Sequence, residues 1–269
     1  MTTRWQNYPL GAVPSGESPR DLKLSLYIDK PKLIEASQVP ALSDWDRVLL
    51  PSGDIPKPDT DPLYNGIAGC CVYSACAHQA NLLAQHAGLE KLVTAEMVRD
   101  AYAAGTGYDP ATGEGDNGAV PRLVLRDWEA GKLTWGCRPL AHGRVDWRDP
   151  EEVALATWLF GGTLGAYALP IVSQGQADAL GRPQWVKPAG GWPQGQGPGT
   201  WGNHMVYHHG TRSGNTWGES VVEDQPWHDE CCIELWFALL DISQLANGRA
   251  PNGFAWEDLL RDAQARASE

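Results

Sequence analysis

Residues 64–86 of the chain read YNGIAGCCVYSACAHQANLLAQH. Small or apolar side chains recur at three- and four-residue intervals in the second part of this segment, at Val72, Ala75, Cys76, Ala80, Leu83 and Ala84. This spacing predicts an amphipathic helix from Cys71 to about His86, and Gly88 is suited to end it. A turn that contains glycine precedes the helix. The sequence therefore predicts a cysteine at the start of a buried helix.

A cysteine in that position is suited to act as a nucleophile. The free amides and the positive dipole end of a helix N-terminus stabilise a thiolate, and the same amides can donate to an oxyanion formed beside it. Two alternatives remain open: Cys70 could be the reactive thiol instead, or both cysteines could be small buried hydrophobic residues. Cys71 is the candidate nucleophile.

A cysteine nucleophile needs a partner that takes up its proton and delivers it to the leaving group, and histidine suits that task near neutral pH. His204, in Trp201-Gly-Asn-His-Met-Val-Tyr, lies where a strand is predicted to open. The Asn215-Thr-Trp-Gly segment follows, and its amide could orient the imidazole while the indole shields the hydrogen bond from water. The alternatives are a core histidine at 204 and a simple turn residue at 215.

In these features the sequence resembles the papain-like cysteine peptidases. That family has a glutamine six residues before the cysteine that opens the central helix, a histidine 130 to 150 residues later, and an Asn-Ser-Trp-Gly motif. The resemblance implies that Cys71 is the nucleophile, His204 its acid-base partner, Asn215 the orienting residue and Asn65 the oxyanion-hole side chain. Asn65 replaces the family's glutamine, Val72 replaces an aromatic residue, and the interval from His204 to Asn215 is shorter than usual.

Residues 60 to 260 are also similar to papain-like proteins of tailed bacteriophages, which share a Gly-x-Cys-Val turn, an alanine-rich helix with histidine and a Thr-Trp-Gly turn. Two hypotheses follow. The chain is a cysteine hydrolase, most plausibly a peptidase acting on a peptide or protein, or it is a catalytically silent structural protein of a virion that binds other virion proteins. The resemblance implies a location in the virion or the host cytoplasm.

The chain as a whole reads as an α+β protein with an N-terminal arm. Residues 1–60 are rich in proline, serine and aspartate, and the alternation at Leu22–Ile28 predicts one strand there. A helical part is expected at about 61–163 and a mainly antiparallel β part at about 164–245, with the active-site cleft between them. The predicted helices beyond the first are Thr94–Ala104, Pro121–Trp128, Glu151–Phe160 and 254–267, and the predicted strands are Leu164–Val172, Met205–His209, Val221-Val222 and Cys231–Leu239.

Composition argues against several classes of partner. Twenty-one basic and 33 acidic residues give a net charge of −12, so no nucleic acid and no anionic membrane surface is expected as a partner. No apolar run is long enough to cross a membrane. The six cysteines include two vicinal pairs, which favours reduced thiols over disulfides. His208, His209, His228 and Cys231-Cys232 lack a zinc-like spacing, so no metal and no cofactor is expected.

Overall fold

A computed structural model describes residues 5, 7–37, 45, 47–57, 59–242 and 252–268. One seven-stranded sheet runs through this part of the chain, in the order β1-β7-β2-β4-β5-β6-β3. All neighbouring strands are antiparallel except β3 and β6, which are parallel. The strands are β1 (Pro139–Val145), β2 (Thr163–Leu169), β3 (Gln184–Trp185), β4 (Gly202–His208), β5 (Ser213–Thr216), β6 (Glu219–Glu223) and β7 (Cys232–Leu240).

Helices cover both faces of the sheet. They are α1 (Lys30–Ser37), α2 (Cys71–His86), α3 (Ala95–Thr106), α4 (Pro121–Glu129), α5 (Pro150–Phe160), α6 (Gln225–Cys231) and α7 (Trp256–Ala267), with short 3-10 turns at Leu24–Leu26 and Ile171–Gly175. One core lies among α2, α3, α4 and the sheet. The other contains residues of α5, α6 and α7 and of the opposite sheet face. Because both faces are covered, strands β2 and β7 are apolar nearly throughout.

The helix signals in the sequence are confirmed. Helix α2 has the predicted bounds, and α3 begins after Thr94, whose side chain accepts a hydrogen bond from the Met97 amide. Helix α5 starts at Pro150, with Asp149 accepting from two first-turn amides as an N-cap. Helices α4 and α7 lie within one or two residues of their predicted ends.

Several other predictions need correction. Leu22–Ile28 is not a strand: it contains a 3-10 turn, and only isolated bridges join Lys23 to Arg144 and Ile28 to Phe254. Leu26 is 73% exposed, which breaks the alternation of buried positions that the pattern predicted. Strand β1 lies inside the part predicted to be helical. Residues 225–231 form helix α6, so the last strand begins at Cys232.

Candidate active site

Cys71 is the first residue of helix α2, and its side chain is completely buried. The backbone amides of Met205 and Gly11, together with amides of the helix start, favour its thiolate and lower its pKa. Burial nevertheless dominates and raises the pKa of the Cys71 thiol to about 12. In this closed arrangement Cys71 is therefore a neutral thiol placed among hydrogen-bond donors that would stabilise a thiolate.

His204 lies on β4 immediately before Met205, whose backbone amide favours the thiolate of Cys71, so the residue that follows His204 in the chain lies at the cysteine. Its ring stacks on Trp217, with centroids 4.0 Å apart and planes at 19°. Its Nε2 is hydrogen-bonded to the hydroxyl of Thr216 at 2.5 Å, whereas its buried Nδ1 has no partner. Burial lowers the pKa of His204 to about 3. The imidazole is neutral here, and no hydrogen bond joins it to Cys71 within the described residues.

No hydrogen bond joins Asn215 to His204 in the described part of the chain, although the Asn-Thr-Trp-Gly motif implied one. Its amide donates to the backbone oxygen of Asp59 at 2.7 Å, and its Oδ1 has no partner. Side chains alternate between sheet faces along a strand, so Asn215 and Thr216 point to opposite sides of β5. Thr216 is the residue that faces the histidine. The motif lies in the right place, but the residue beside the one predicted makes the hydrogen bond.

Asn65 lies in the turn before the nucleophile, after Leu63 and Tyr64, which both have positive φ. Its backbone N–H donates to the backbone oxygen of Pro62 at 2.9 Å. Its side chain is buried and forms no hydrogen bond within the described part of the chain, and its Oδ1 has no partner. The side-chain amide of Asn65 is therefore available to a ligand, and the role of Asn65 in an oxyanion hole stays a prediction.

Cys70, the alternative nucleophile, has a different environment. Its sulfur lies 3.5 Å from the Ser74 hydroxyl and 4.0 Å from the backbone oxygen of Leu63. Burial raises the pKa of this thiol to about 12 as well. Among the described residues neither cysteine is hydrogen-bonded to an imidazole, but the backbone amide of Met205, the residue after His204, favours the thiolate of Cys71.

The N-terminal arm closes the cleft above these groups. Ala12 donates to the backbone oxygen of Asn203 at 3.2 Å, on the sheet side of the cleft. On the helical side, the backbone N–H of Val13 donates to the Ala119 oxygen, and the backbone N–H of Ala119 donates to the Gly11 oxygen. Trp5 packs on Trp185 and Trp217 at the other end of the arm. The sequence indicated an arm but not its course, because nothing in residues 8–16 identifies their partners.

A second buried polar cluster lies away from this cleft. The Tyr167 hydroxyl is 2.9 Å from His208 Nε2, and His228 Nδ1 is 2.6 Å from the Glu223 carboxylate. Cys231 and Cys232 are free thiols, like the other four cysteines. Within the described ranges, no group of three or more histidine, cysteine or acidic residues is arranged to hold a metal ion. The same residues include no helix that is long and apolar enough to span a membrane.

Comparison with solved structures identifies the fold. The chain is similar to the crystal structure of xylellain, a cysteine protease from Xylella fastidiosa, with a TM-score of 0.58 over 87% of this chain and 96% of that chain. Sequence identity is 12%, so the likeness concerns the fold. No protein-family model matches the chain, and no curated protein matches it in sequence. The predicted papain-like α+β fold is thereby confirmed.

Proposed function

We propose that the chain is a papain-like cysteine hydrolase, acting on peptide bonds, with Cys71 as nucleophile and His204 as acid-base partner. The observation that carries this proposal is the placement of Cys71 at the first turn of α2, where the backbone amide of the residue after His204 favours its thiolate. His204 presents one nitrogen to Thr216, and its Nδ1 has no hydrogen-bond partner among the described residues. Proton transfer requires that this nitrogen reach the thiol once the cleft is open.

The chemistry is a two-step acyl transfer. The Cys71 thiol loses its proton to His204, and the sulfur attacks the substrate carbonyl to form a C–S bond. The C–N bond then breaks, and His204 returns the proton to the leaving amine. Water hydrolyses the resulting thioester, which releases the acid and restores the thiol. Amides at the start of α2, and the side chain of Asn65, are the donors available to the oxyanion.

The closed arm makes this site inactive in the structure described. Burial disfavours the charged forms of both partners, since it raises the pKa of Cys71 and lowers that of His204. Displacing residues 8–16 would admit water, lower the first pKa and raise the second. Both shifts favour a thiolate–imidazolium pair. The arm thus has the position of a built-in pro-segment, and activity depends on its departure.

The test is labelling of the full chain with an epoxide probe for thiolates, in a Trp5→Ala variant whose arm has lost its aromatic anchor. We expect labelling at Cys71 and hydrolysis of members of a peptide library. Adding Cys71→Ala should abolish both, whereas adding Cys70→Ala, the matched neighbouring thiol, should preserve both. Labelling that survives Cys71→Ala and disappears with Cys70→Ala would contradict the assignment.

The second candidate is a catalytically silent papain-fold protein, for which a virion is the location that the sequence resemblance implies. Its supporting observation is the full burial of Cys71 without a hydrogen bond to His204. This alternative requires that every arm-displaced variant remain folded, unlabelled at Cys71 and inactive on the library. It also predicts that Cys71→Ala leaves assembly with partner proteins unchanged.

A further inference from the structure

Gly11 is the arm residue that occupies the cleft directly at the candidate nucleophile. Its backbone packs against Gly69, two residues before Cys71, and its amide is one of the groups that favour the Cys71 thiolate. Its carbonyl accepts a hydrogen bond from the backbone N–H of Ala119 at 2.7 Å, which holds residue 11 against the helical side of the cleft. The group lying at the sulfur in the closed state is therefore the backbone of a glycine.

No side chain fits at this position, because the walls of the cleft are themselves glycine backbone. A Cβ added to Gly11 would lie 1.7 Å from the carbonyl oxygen of Gly69. A Cβ added to Gly118, which has φ of +74°, would lie 2.1 Å from the carbonyl oxygen of Gly11. A Cβ on Gly69 would come within 2.8 Å of the Leu10 oxygen. We call this three-glycine passage, formed by Gly69 and Gly118 around Gly11, the glycine slot.

Hydrogen bonds connect the two walls of the glycine slot. The Asp116 carboxylate accepts from the Gly69 N–H at 2.9 Å and from the Tyr102 hydroxyl at 2.6 Å. That hydroxyl in turn accepts from the Gly118 N–H at 3.0 Å. Burial and the carboxylate raise the pKa of Tyr102, so its hydroxyl remains a donor. Because one carboxylate and one phenol connect the walls, the slot cannot widen without breaking these hydrogen bonds.

The residue next to Gly11 shows a contrasting environment. The Leu10 side chain packs against Gly202, where an added Cβ would lie 2.7 Å from Leu10 Cδ1. The strand thus leaves room for a branched apolar side chain beside the slot. Ala12, on the other side, is buried at 6% exposure between Asn203 and Ala119.

We propose that the cleft selects peptides with glycine at the position that faces Cys71, flanked by an apolar side chain that packs on Gly202. This inference rests on the proposed function and narrows its substrate class. A substrate with any larger residue at that position would have to displace backbone atoms of Gly69 or Gly118. Overpacking costs about 1–3 kcal/mol, and displacing backbone atoms belongs to the upper part of that range, which corresponds to at least about tenfold in affinity.

The first test places a larger residue in the slot of the full chain. In Gly11→Val the arm should leave the slot, and the alkylation rate of Cys71 by iodoacetamide should rise at least about tenfold over the unmodified chain. Val13→Ala is the matched control, because the Val13 side chain is 40% exposed and the hydrogen bond from its backbone N–H to the Ala119 oxygen remains. Peptide mapping by mass spectrometry assigns the label to Cys71. An unchanged rate in Gly11→Val would overturn the proposal.

The second test asks whether the emptied slot discriminates among peptides. A synthetic peptide with the sequence of residues 8–14, YPLGAVP, should protect Cys71 of the Gly11→Val variant from alkylation. The same peptide with alanine in place of glycine should protect at least about tenfold less well. Tyr102→Phe removes the hydroxyl that links Asp116 to the Gly118 amide. It should therefore reduce the difference in protection between the two peptides. Equal protection by both peptides would overturn the proposal.

These readouts separate the inference from the proposed function, since alkylation and protection need no turnover. Selective protection without hydrolysis of any peptide would support the glycine slot and contradict the hydrolase. Hydrolysis of library peptides with alanine or larger residues facing Cys71, at rates equal to their glycine counterparts, would support the hydrolase and overturn the glycine slot.

Discussion

The orientation of His204 is set by a hydroxyl rather than by an amide. Thr216 Oγ1 lies at Nε2, and Trp217 covers the pair from one side. If Nε2 carries the ring proton, Thr216 Oγ1 accepts a hydrogen bond from Nε2–H, and Nδ1 is left as the base. A threonine is a weaker partner for imidazolium than a carboxylate, because it is neutral. Thr216 is therefore a positioning residue, which holds the ring and its tautomer.

Replacing Thr216 tests this role. In a chain whose arm is displaced by Gly11→Val, Thr216→Val leaves a buried Nε2–H without an acceptor, at a cost of about 1–3 kcal/mol that falls hardest on the imidazolium. We expect the alkylation rate of Cys71 at neutral pH to drop by about 5- to 100-fold and its pH profile to shift upward. Thr216→Ser should retain the profile.

Asn215→Ala is the control that distinguishes the two neighbours. It removes the hydrogen bond to Asp59 and leaves the His204 side of β5 unchanged. The pH profile of Cys71 alkylation should therefore remain that of the arm-displaced parent. A profile that moves with Asn215→Ala and not with Thr216→Val would restore the motif-based assignment of Asn215.

Which parts of the site could be read from the sequence depends on how locally each is determined. Helix α2 was predicted to its end residues because its apolar spacing and small residues act within one turn. The choice between Asn215 and Thr216 could not be made, because a shift of one residue on a strand reverses the face and nothing local fixes it. Strand β1 was missed because PLAHGRV has only one β-branched residue and no aromatic one.

At the scale of elements, the arm is held at its far end by two arginines. Arg122, on α4, donates to the backbone oxygens of Ser15 and Gly16 and pairs with Asp21 at 2.7 Å. Arg144, on β1, pairs with the same aspartate and with Glu234. Asp21 is only 5% exposed, and the two guanidinium groups hold its pKa below the usual range despite burial. The arm is thus anchored to the folded body by buried charges.

Arg122→Ala should loosen the arm locally. The variant loses two hydrogen bonds to backbone oxygens of the arm and one ion-pair partner of Asp21. This loss corresponds to about 1–3 kcal/mol of local stability. Amide exchange over residues 11–16 should accelerate by about 5- to 100-fold, most clearly at the Val13 amide that donates to Ala119. The measurement is hydrogen exchange followed by mass spectrometry.

Arg126→Ala provides the matched control for this prediction. Arg126 is an exposed arginine one turn further along α4, and its removal should leave exchange over residues 11–16 unchanged. Equal exchange rates in both variants and in the parent would show that Arg122 does not hold the arm. An increase confined to Arg122→Ala would also predict faster alkylation of Cys71.

At the scale of the whole molecule, the sheet separates two cores, and the cleft lies where the arm bridges them. The arm bonds to Ala119 on one side and Asn203 on the other, so its closed state ties the helical face to the sheet. Two histidines of β4 lie fully buried on the same side of that strand, His204 and His208. Burying neutral imidazole is tolerable near pH 7 and becomes costly as the pH falls.

Burial lowers the pKa of His204 to about 3 and that of His208 to about 4. For His208, Glu223 opposes the shift, whereas nearby His228, Arg212 and His209 add to it. An unfolded histidine binds its proton near pH 6.5, so the unfolded state takes up more protons between about pH 6.5 and 4. The stability that these groups contribute is present above pH 6.5 and is lost as the pH falls through that window.

The expected slope is up to about 1.4 kcal/mol of unfolding free energy per pH unit for each histidine. Urea unfolding at pH 7, 6 and 5 measures it, in a range above the pKa of ordinary carboxyl groups, which is near 4. His208→Gln keeps a hydrogen-bonding group at Tyr167 and cannot bind the proton. The dependence of its unfolding free energy on pH should therefore be weaker, by the contribution of one histidine. An identical slope in the variant would mean that His208 is already protonated in the folded chain, contrary to its burial beside Arg212.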